Sequence, residues 1–291
     1  MAAPSLSVAR AWARHAFASQ LRRKDFFAAL VLIGFANGLI SRVLESAHNI
    51  GWFAGLMNTF DISAIVWVAI YMVPTQIWKE TDAPVTRPDL VVGAICLAAF
   101  FVPIAQMSWL ALSGLSIYLL CSGEKGSHLR ETGWLLLALS IPMLWARLML
   151  SALSGPILRL DATMVSKLVG STHVDNAVRY LDGSGVMWIA PTCSSLANIT
   201  LAQLCWIAFL TGSRTPWSAP AILWGILACI MVAGFNVARL VILALNPTHH
   251  ALLHGPIGNA VVSWITTAAL VVFCWYGIRL LNPRQGNLAH A

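Results

Sequence analysis

The chain has 291 residues, of which 58% are hydrophobic and only 10% are charged. Soluble domains carry roughly 25% charged residues, so this composition nearly excludes a soluble globular protein. The formal charge is +7, but the basic residues lie between the apolar runs and do not form a binding stripe. We therefore expect no nucleic-acid partner, and we predict a polytopic membrane protein surrounded by a lipid bilayer.

Eight apolar segments predict transmembrane helices, because about 20 apolar residues cross roughly 30 Å of hydrocarbon. These segments are 26–44, 62–78, 90–106, 107–121, 133–153, 194–212, 220–245 and 257–281. The third and fourth share a short junction around Pro103 and Trp109, so they could also form one broken hairpin. The predicted fold class is all-α, with about eight transmembrane helices.

The orientation of the chain follows from its basic residues. Arg22, Arg23 and Lys24 directly precede the first apolar run. That run is longer than the core of a signal peptide and lacks a convincing cleavage site, so we expect it to be retained as a span. If this leader is cytoplasmic, alternation of the spans places most other Lys and Arg residues in the cytoplasm as well. The positive-inside rule therefore predicts that both termini are cytoplasmic.

The longest segment between predicted spans is 154–193, which alternation places outside the cytoplasm. Its apolar patches suggest that it lies on or dips into the membrane interface. Its charged residues, among them Asp175, Arg179 and Asp182, either shape a substrate entrance or are ordinary solvated loop charges. The predicted division of the chain is a basic leader (1–25), N-terminal spans (26–153), this outer segment (154–193), C-terminal spans (194–281) and a cytoplasmic tail (282–291).

Cys193 is the one cysteine that falls at the outer boundary of a predicted span. Pro191, Thr192 and Ser194 around it indicate a helix start, with Thr192 or Ser194 as the cap. A thiol in the first turn of a helix is favoured as thiolate by the helix dipole, and the unpaired N–H groups there could stabilise an oxyanion. The alternative is an inert boundary cysteine.

Two further groups lie on the same predicted side as Cys193. Arg239 is an ionisable residue inside a predicted span, and Asn236 lies on the same helical face three residues earlier. His250 and His254 follow the end of this span and could transfer a proton. Arg239 could instead reach lipid headgroups, and the histidines could form a zinc site, but no cysteine or carboxylate lies beside them. We predict no metal.

Three short motifs occur in order at the outer ends of the last three predicted helices. They are Cys193-Ser194-Ser195, Asn236-Val237-Ala238-Arg239 and His254-Gly255-Pro256-Ile257-Gly258. They resemble the exosortase/archaeosortase family of multi-spanning cysteine transpeptidases, which process C-terminal sorting signals. Ser195 stands where glycine is usual in that family.

The resemblance implies a cysteine protease or transpeptidase, without a cofactor, that acts on the extracytoplasmic side of a bacterial inner membrane. Cys193 would be the nucleophile, Arg239 would stabilise the oxyanion and His254 would transfer the proton. The residues expected to contact substrate are Asn236, Ser194, Ser195 and His250, and His250 is also the alternative to His254. The implied partners are membrane proteins that carry a C-terminal sorting signal.

Two other functions remain compatible with the sequence. A transporter or channel could line a polar pathway with Arg239, Arg147 and Asp61. A non-catalytic subunit of an export or polysaccharide assembly system would need none of the three motifs. Within the protease hypothesis, transfer of the peptide to an acceptor and its hydrolysis are both open.

Overall fold

The computed structural model describes residues 21–249 and 255–282. Helices make up most of these two ranges, and the strands in them are two or three residues long. The helices are α1 (Arg23–Ile50), α2 (Trp52–Met57), α3 (Ala64–Trp78), α4 (Arg87–Phe100), α5 (Ala105–Ser122), α6 (His128–Ser140), α7 (Ala146–Val169), α8 (Ser195–Gly212), α9 (Ala219–Leu245) and α10 (Pro256–Leu281).

Six helical runs in the described part of the chain are long and apolar enough to cross a membrane. They are Arg23–Ile50, Ala105–Ser122, His128–Val169, Ser195–Gly212, Ala219–Leu245 and Gly258–Leu281. Helix α3 is also apolar but shorter, with 15 residues. The chain is therefore an all-α, multi-pass membrane protein, as the sequence predicts.

The junction between the third and fourth predicted segments forms two separate helices. Helix α4 ends at Phe100 and helix α5 begins at Ala105. Pro103 lies between them, where it has no N–H for a helical hydrogen bond and disfavours helical geometry at the preceding residue. The chain therefore turns here four residues earlier than the segment boundaries predict.

The prediction that the fifth helix ends at Leu153 is wrong. Helix α6 continues through a π-helical turn, Ile141–Trp145, into α7, which ends at Val169. The helical geometry is interrupted at Leu153 (φ −128°, ψ 26°), three residues before Pro156, whose ring and missing N–H distort a helix without always ending it. The first 16 residues of the predicted outer segment are therefore helical.

The chain forms two compact units, residues 1–140 and 141–291. In the first unit α1 packs against α3, α4 and α5. Asp89, which is fully buried, accepts hydrogen bonds from Arg23 Nη2 (3.0 Å), Tyr118 Oη (2.7 Å) and Thr86 Oγ1 (2.7 Å). This network joins the starts of α1 and α4 to α5.

In the second unit α8 and α9 are neighbouring helices joined by a six-residue loop, and both contact α10. Trp206 of α8 is buried, and its indole Nε1 donates a hydrogen bond to the carbonyl of Ala221 (2.9 Å). The indole packs directly against Gly225 of α9 and Gly277 of α10. The two glycines thus allow both helices to approach the same ring.

Replacement of Gly225 by alanine is expected to destabilise the second unit. The new Cβ would lie 2.7 Å from Trp206 Cδ1, closer than any normal contact, so the buried ring must move. We expect a loss of about 1–3 kcal/mol in the free energy of unfolding, measured by denaturation in mixed micelles. The control is Gly234→Ala in the same helix, where the new Cβ meets nothing within 4 Å. Equal losses in both variants would contradict the packing argument.

A small antiparallel sheet follows α7. Its strands are β1 (His173–Val174), β2 (Ala177–Arg179) and β3 (Val186–Trp188), in the order β1-β2-β3. Strand β3 leads through the 3-10 turn Pro191–Cys193 into α8. One buried apolar cluster joins α7, the sheet and α9, and its members are Leu158, Ala162, Val165, Val169, Val178, Met187, Ile189, Cys193, Val237, Leu240, Leu243 and Ala244.

Candidate functional site

Cys193 lies immediately before the N-cap residue of α8. It ends the 3-10 turn that begins at Pro191, and Ser194 is the N-cap residue of α8. Only 7% of Cys193 is exposed, and its side chain belongs to the apolar cluster that also contains Val237 and Leu240 of α9. The prediction of Ser194 as a cap is confirmed, but the prediction that the thiol lies in the first helical turn is wrong.

The first two N–H groups of α8 already have acceptors. Ser195 N donates to Asp161 Oδ2 (3.1 Å), and Leu196 N donates to Ser194 Oγ (3.2 Å). Cys193 N donates to the carbonyl of Ala190 (2.9 Å). Because these donors are occupied, the N–H groups of Cys193, Ser195 and Leu196 do not offer the oxyanion site that the sequence suggests.

Asp161 of α7 is the buried acceptor that organises this helix start. It is 4% exposed, and its Oδ2 accepts from Ser194 Oγ (3.0 Å) as well as from the Ser195 amide. In the sequence, Asp161 falls in the predicted outer segment (154–193), where no role is predicted for it. A signal was present, because Leu158, Ala162 and Val165 repeat at helical spacing and place Asp161 on the same buried face.

Replacement of Asp161 by alanine is expected to destabilise the second unit. It leaves the Ser194 hydroxyl and the Ser195 amide without their acceptor in a buried place, which costs about 2–4 kcal/mol in the free energy of unfolding. Asp161→Asn keeps an acceptor oxygen and should lose less. Denaturation in mixed micelles measures both variants.

The matched control is Asp175→Asn, because Asp175 has a positive φ of 49° that asparagine tolerates better than alanine. Asp175 pairs with Arg159 Nη2 at 2.6 Å, but the two side chains are 67% and 61% exposed. Exposed ion pairs contribute about 0–1 kcal/mol, so this variant should unfold almost like the original chain. If Asp161→Ala proved no more harmful than Asp175→Asn, the assigned role of Asp161 would be incorrect.

Asn236 joins α9 to the residues around Cys193. Its Nδ2 donates to the carbonyl oxygen of Cys193 (2.9 Å) and to Ser195 Oγ (3.1 Å), and its Oδ1 accepts from Asn198 Nδ2 (3.1 Å). Asn236 is 5% exposed, and both of its N–H donors are used. The structure thus brings the first two predicted motifs together.

Three of the four residues predicted to contact substrate are described, and these three have internal partners. Ser194 is fully buried, and its hydroxyl bonds Asp161 and caps α8. Ser195 and Asn236 bond each other. These contacts give the three side chains a positioning role at Cys193, while direct contact with substrate stays a prediction.

Arg239 lies one turn after Asn236 on α9, and i, i+3 residues share a helical face. Its Nη2 donates to Asn259 Oδ1 of α10. Its Nε is buried and has no acceptor among the described residues. A buried donor without an acceptor is costly, so a ligand oxygen at this position would be stabilised.

The predicted proton-transfer residues, His254 and His250, lie outside the described residues. Gly255, which follows His254, is the N-cap residue of α10. His173 is described, and its two ring nitrogens lie 3.2 Å from Thr163 Oγ1 and 3.1 Å from Ser166 Oγ. In the ranges 21–249 and 255–282 no group of three or more His, Cys, Asp or Glu side chains could hold a metal ion.

Two acidic side chains of the sheet segment have partners within the second unit. Asp182 Oδ1 accepts from the amide (2.9 Å) and the hydroxyl (2.6 Å) of Ser184, and these hydrogen bonds hold the pKa of Asp182 below its usual value. Burial, together with the nearby Asp182 charge, raises the pKa of Tyr180. Asp182 therefore stabilises a turn through Ser184, and Asp175 forms an exposed ion pair with Arg159.

The three residues of the transporter hypothesis are described each within its own unit. Asp61 belongs to the first unit, where it accepts from Asn58 Nδ2 (2.6 Å). Arg147 belongs to the second unit and is exposed, whereas the Nε of Arg239 is buried. Within the second unit, Arg147 and Arg239 therefore have different surroundings.

No protein-family model, curated protein or solved structure matches this chain.

Proposed function

We propose that this protein is an exosortase-like membrane cysteine protease or transpeptidase. In this proposal the chain crosses a bacterial inner membrane with about eight helices, and both termini are cytoplasmic. Its substrates are exported proteins that end in a short motif, an apolar helix and a basic cluster. Cleavage takes place at the extracytoplasmic face.

The observation that carries the proposal is the contact between the first two motifs. Asn236 Nδ2 donates to the carbonyl of Cys193 at 2.9 Å, although the two residues are 43 positions apart. Arg239, one turn further along the same helix, keeps a buried Nε donor without an acceptor among the described residues. A nucleophile held against a helix that also presents a guanidinium suits acyl transfer.

The proposed reaction begins with attack of the Cys193 thiolate on the carbonyl carbon of the scissile amide. The carbonyl oxygen takes the negative charge of the tetrahedral intermediate, and Arg239 stabilises it in a partly buried place. The C–N bond then breaks, and His254 donates a proton to the leaving amine. The product is a thioester between Cys193 and the new C terminus of the substrate.

The second half-reaction releases the thioester. His254 takes a proton from the acceptor, either water or the nucleophilic group of another molecule, and the acceptor attacks the thioester carbon. The thiolate of Cys193 leaves and is ready for another cycle. Asp161 and Asn236 hold the backbone that follows the Cys193 side chain throughout, since both are bonded to residues 193–195.

Hydroxylamine tests for the thioester directly. Membranes that contain the protein and a reporter with a C-terminal tripartite signal are incubated with increasing hydroxylamine, and the new C terminus is analysed by mass spectrometry. Because hydroxylamine attacks thioesters faster than water does, we expect the cleaved reporter to end in a hydroxamate. Cleavage that yields only a carboxylate or the normal transfer product at every hydroxylamine concentration would contradict the thioester route.

A further inference from the structure

Strand β3 has an open edge beside the segment that carries Cys193. Ile189 N donates to the carbonyl of Asn176 on the β2 side at 2.9 Å. In an antiparallel pair such bonded positions alternate, so Met187 also directs its backbone groups toward β2. The N–H and C=O groups of Val186 and Trp188 therefore face away from the sheet.

The outward groups of β3 are unpaired and accessible. No hydrogen bond from a described residue reaches the backbone of Val186 or Trp188. Their side chains are also exposed, 45% for Val186 and 69% for Trp188. Unpaired backbone groups are too costly for the hydrocarbon interior, so this edge must lie in water or among headgroups. It can accept another strand.

The open edge is close to Cys193 along the chain. Two extended residues, Ile189 and Ala190, and then the 3-10 turn separate Trp188 from Cys193. This connection spans at most about 13 Å, which is the length of roughly four residues of an extended peptide. A peptide paired with β3 would therefore reach the thiol without a long unpaired stretch.

We propose that the edge formed by Val186–Trp188 binds the substrate as an added β-strand. The occupant is the extended peptide that precedes the substrate's membrane helix, and this proposal rests on the proposed function. Outward N–H and C=O groups of β3 bind the peptide backbone, while exposed Val186 and Trp188 contact alternate side chains. The arrangement aligns an extended peptide with the thiol through its backbone.

A second copy of the chain fits this edge less well. Strand β3 has three residues, two of which face outward, and stable protein interfaces bury on the order of 1,600 Å². Pairing of two such short strands falls far below that area. A peptide substrate does not need a large interface, because its own membrane helix already keeps it beside the protein.

The test removes the outward N–H groups without changing those that face β2. In Val186→Pro and Trp188→Pro the reporter with a C-terminal tripartite signal should be processed about tenfold or more slowly, because each variant loses a backbone donor. The matched variants Val186→Thr and Trp188→Val retain the N–H. They should process the reporter within a few-fold of the original rate. Cys193→Ala is measured in parallel.

These variants separate the two proposals. If the Cys193→Ala variant processes the reporter at the normal rate, the proposed function fails, whatever the result for the β3 variants. If Cys193→Ala is inactive but both proline variants work at the original rate, only strand addition is overturned. Equal losses in the proline and the matched variants would also overturn it, since the side chain would then be responsible. Proline variants that change the oligomeric mass but not the rate would indicate pairing with a second copy.

A second measurement avoids substitutions in β3. Amide hydrogen exchange is followed in Cys193→Ser protein with and without saturating reporter. Protection should increase at Val186 and Trp188 and stay unchanged at His173, whose outward backbone groups lie on the opposite edge of the sheet. Unchanged exchange at Val186 and Trp188 with bound reporter would contradict the proposal.

Discussion

Replacement of Cys193 by alanine is expected to abolish cleavage of the sorting signal, a loss of about 10⁴-fold or more relative to the original chain. Without the sulfur no thioester forms, and Cys193 is the cysteine whose carbonyl binds Asn236 and which directly precedes the N-cap residue of α8. Cys193→Ser should be nearly as inactive, since a hydroxyl is a far weaker nucleophile at neutral pH. The measurement follows the size of an exported reporter with a C-terminal tripartite signal.

The control for this loss is Cys121→Ala. Cys121 is exposed and belongs to the first unit, so its removal should leave the cleavage rate unchanged. Normal processing by both Cys193→Ala and Cys193→Ser would eliminate the enzyme hypothesis. A transporter or an assembly subunit would then be the better interpretation of the sequence.

Replacement of Arg239 by glutamine is expected to slow cleavage by about 10²–10³-fold, the usual cost of one lost oxyanion donor. The Nε of Arg239 is buried and without an acceptor among the described residues, so it can bind an oxygen that becomes negative. Arg239→Lys keeps the positive charge but loses the planar Nε donor, and should have an intermediate rate. Single-turnover rates of reporter cleavage distinguish these variants.

Arg147→Gln is the matched control for Arg239. Arg147 belongs to the same unit but is exposed, so its charge should not affect cleavage. The transporter hypothesis makes the opposite prediction, because there both arginines line the pathway. Equal losses in Arg147→Gln and Arg239→Gln would favour that hypothesis over the protease.

Most helix ends could be predicted because the apolar runs stop where the helices stop. Helix α3 ends at Trp78 before Lys79, and α9 ends at Leu245 before Asn246 and Pro247. The length of the apolar run therefore predicts where these helices end. The same criterion wrongly predicts a helix end at Leu153. A proline inside a helix can distort the helix or end it, and local sequence does not decide between these outcomes.

The candidate site was predicted only in part. Short motifs single out Cys193, Asn236 and Arg239, and the structure shows a hydrogen bond between Asn236 and the Cys193 carbonyl. Asp161 was missed, since its importance depends on Ser194 and Ser195, which are more than 30 residues away in the sequence. His254 and His250 stay predictions.

The sequence by itself determined that this is an all-α membrane protein and that a helix begins after Cys193, because hydropathy and capping are local properties of the chain. Only the tertiary structure decided which groups surround the thiol. In it the first two N–H groups of α8 bind Asp161 and the capping Ser194, and the edge of β3 stays open. Packing determines which residues distant in sequence become hydrogen-bond partners, and local sequence patterns do not predict these partners.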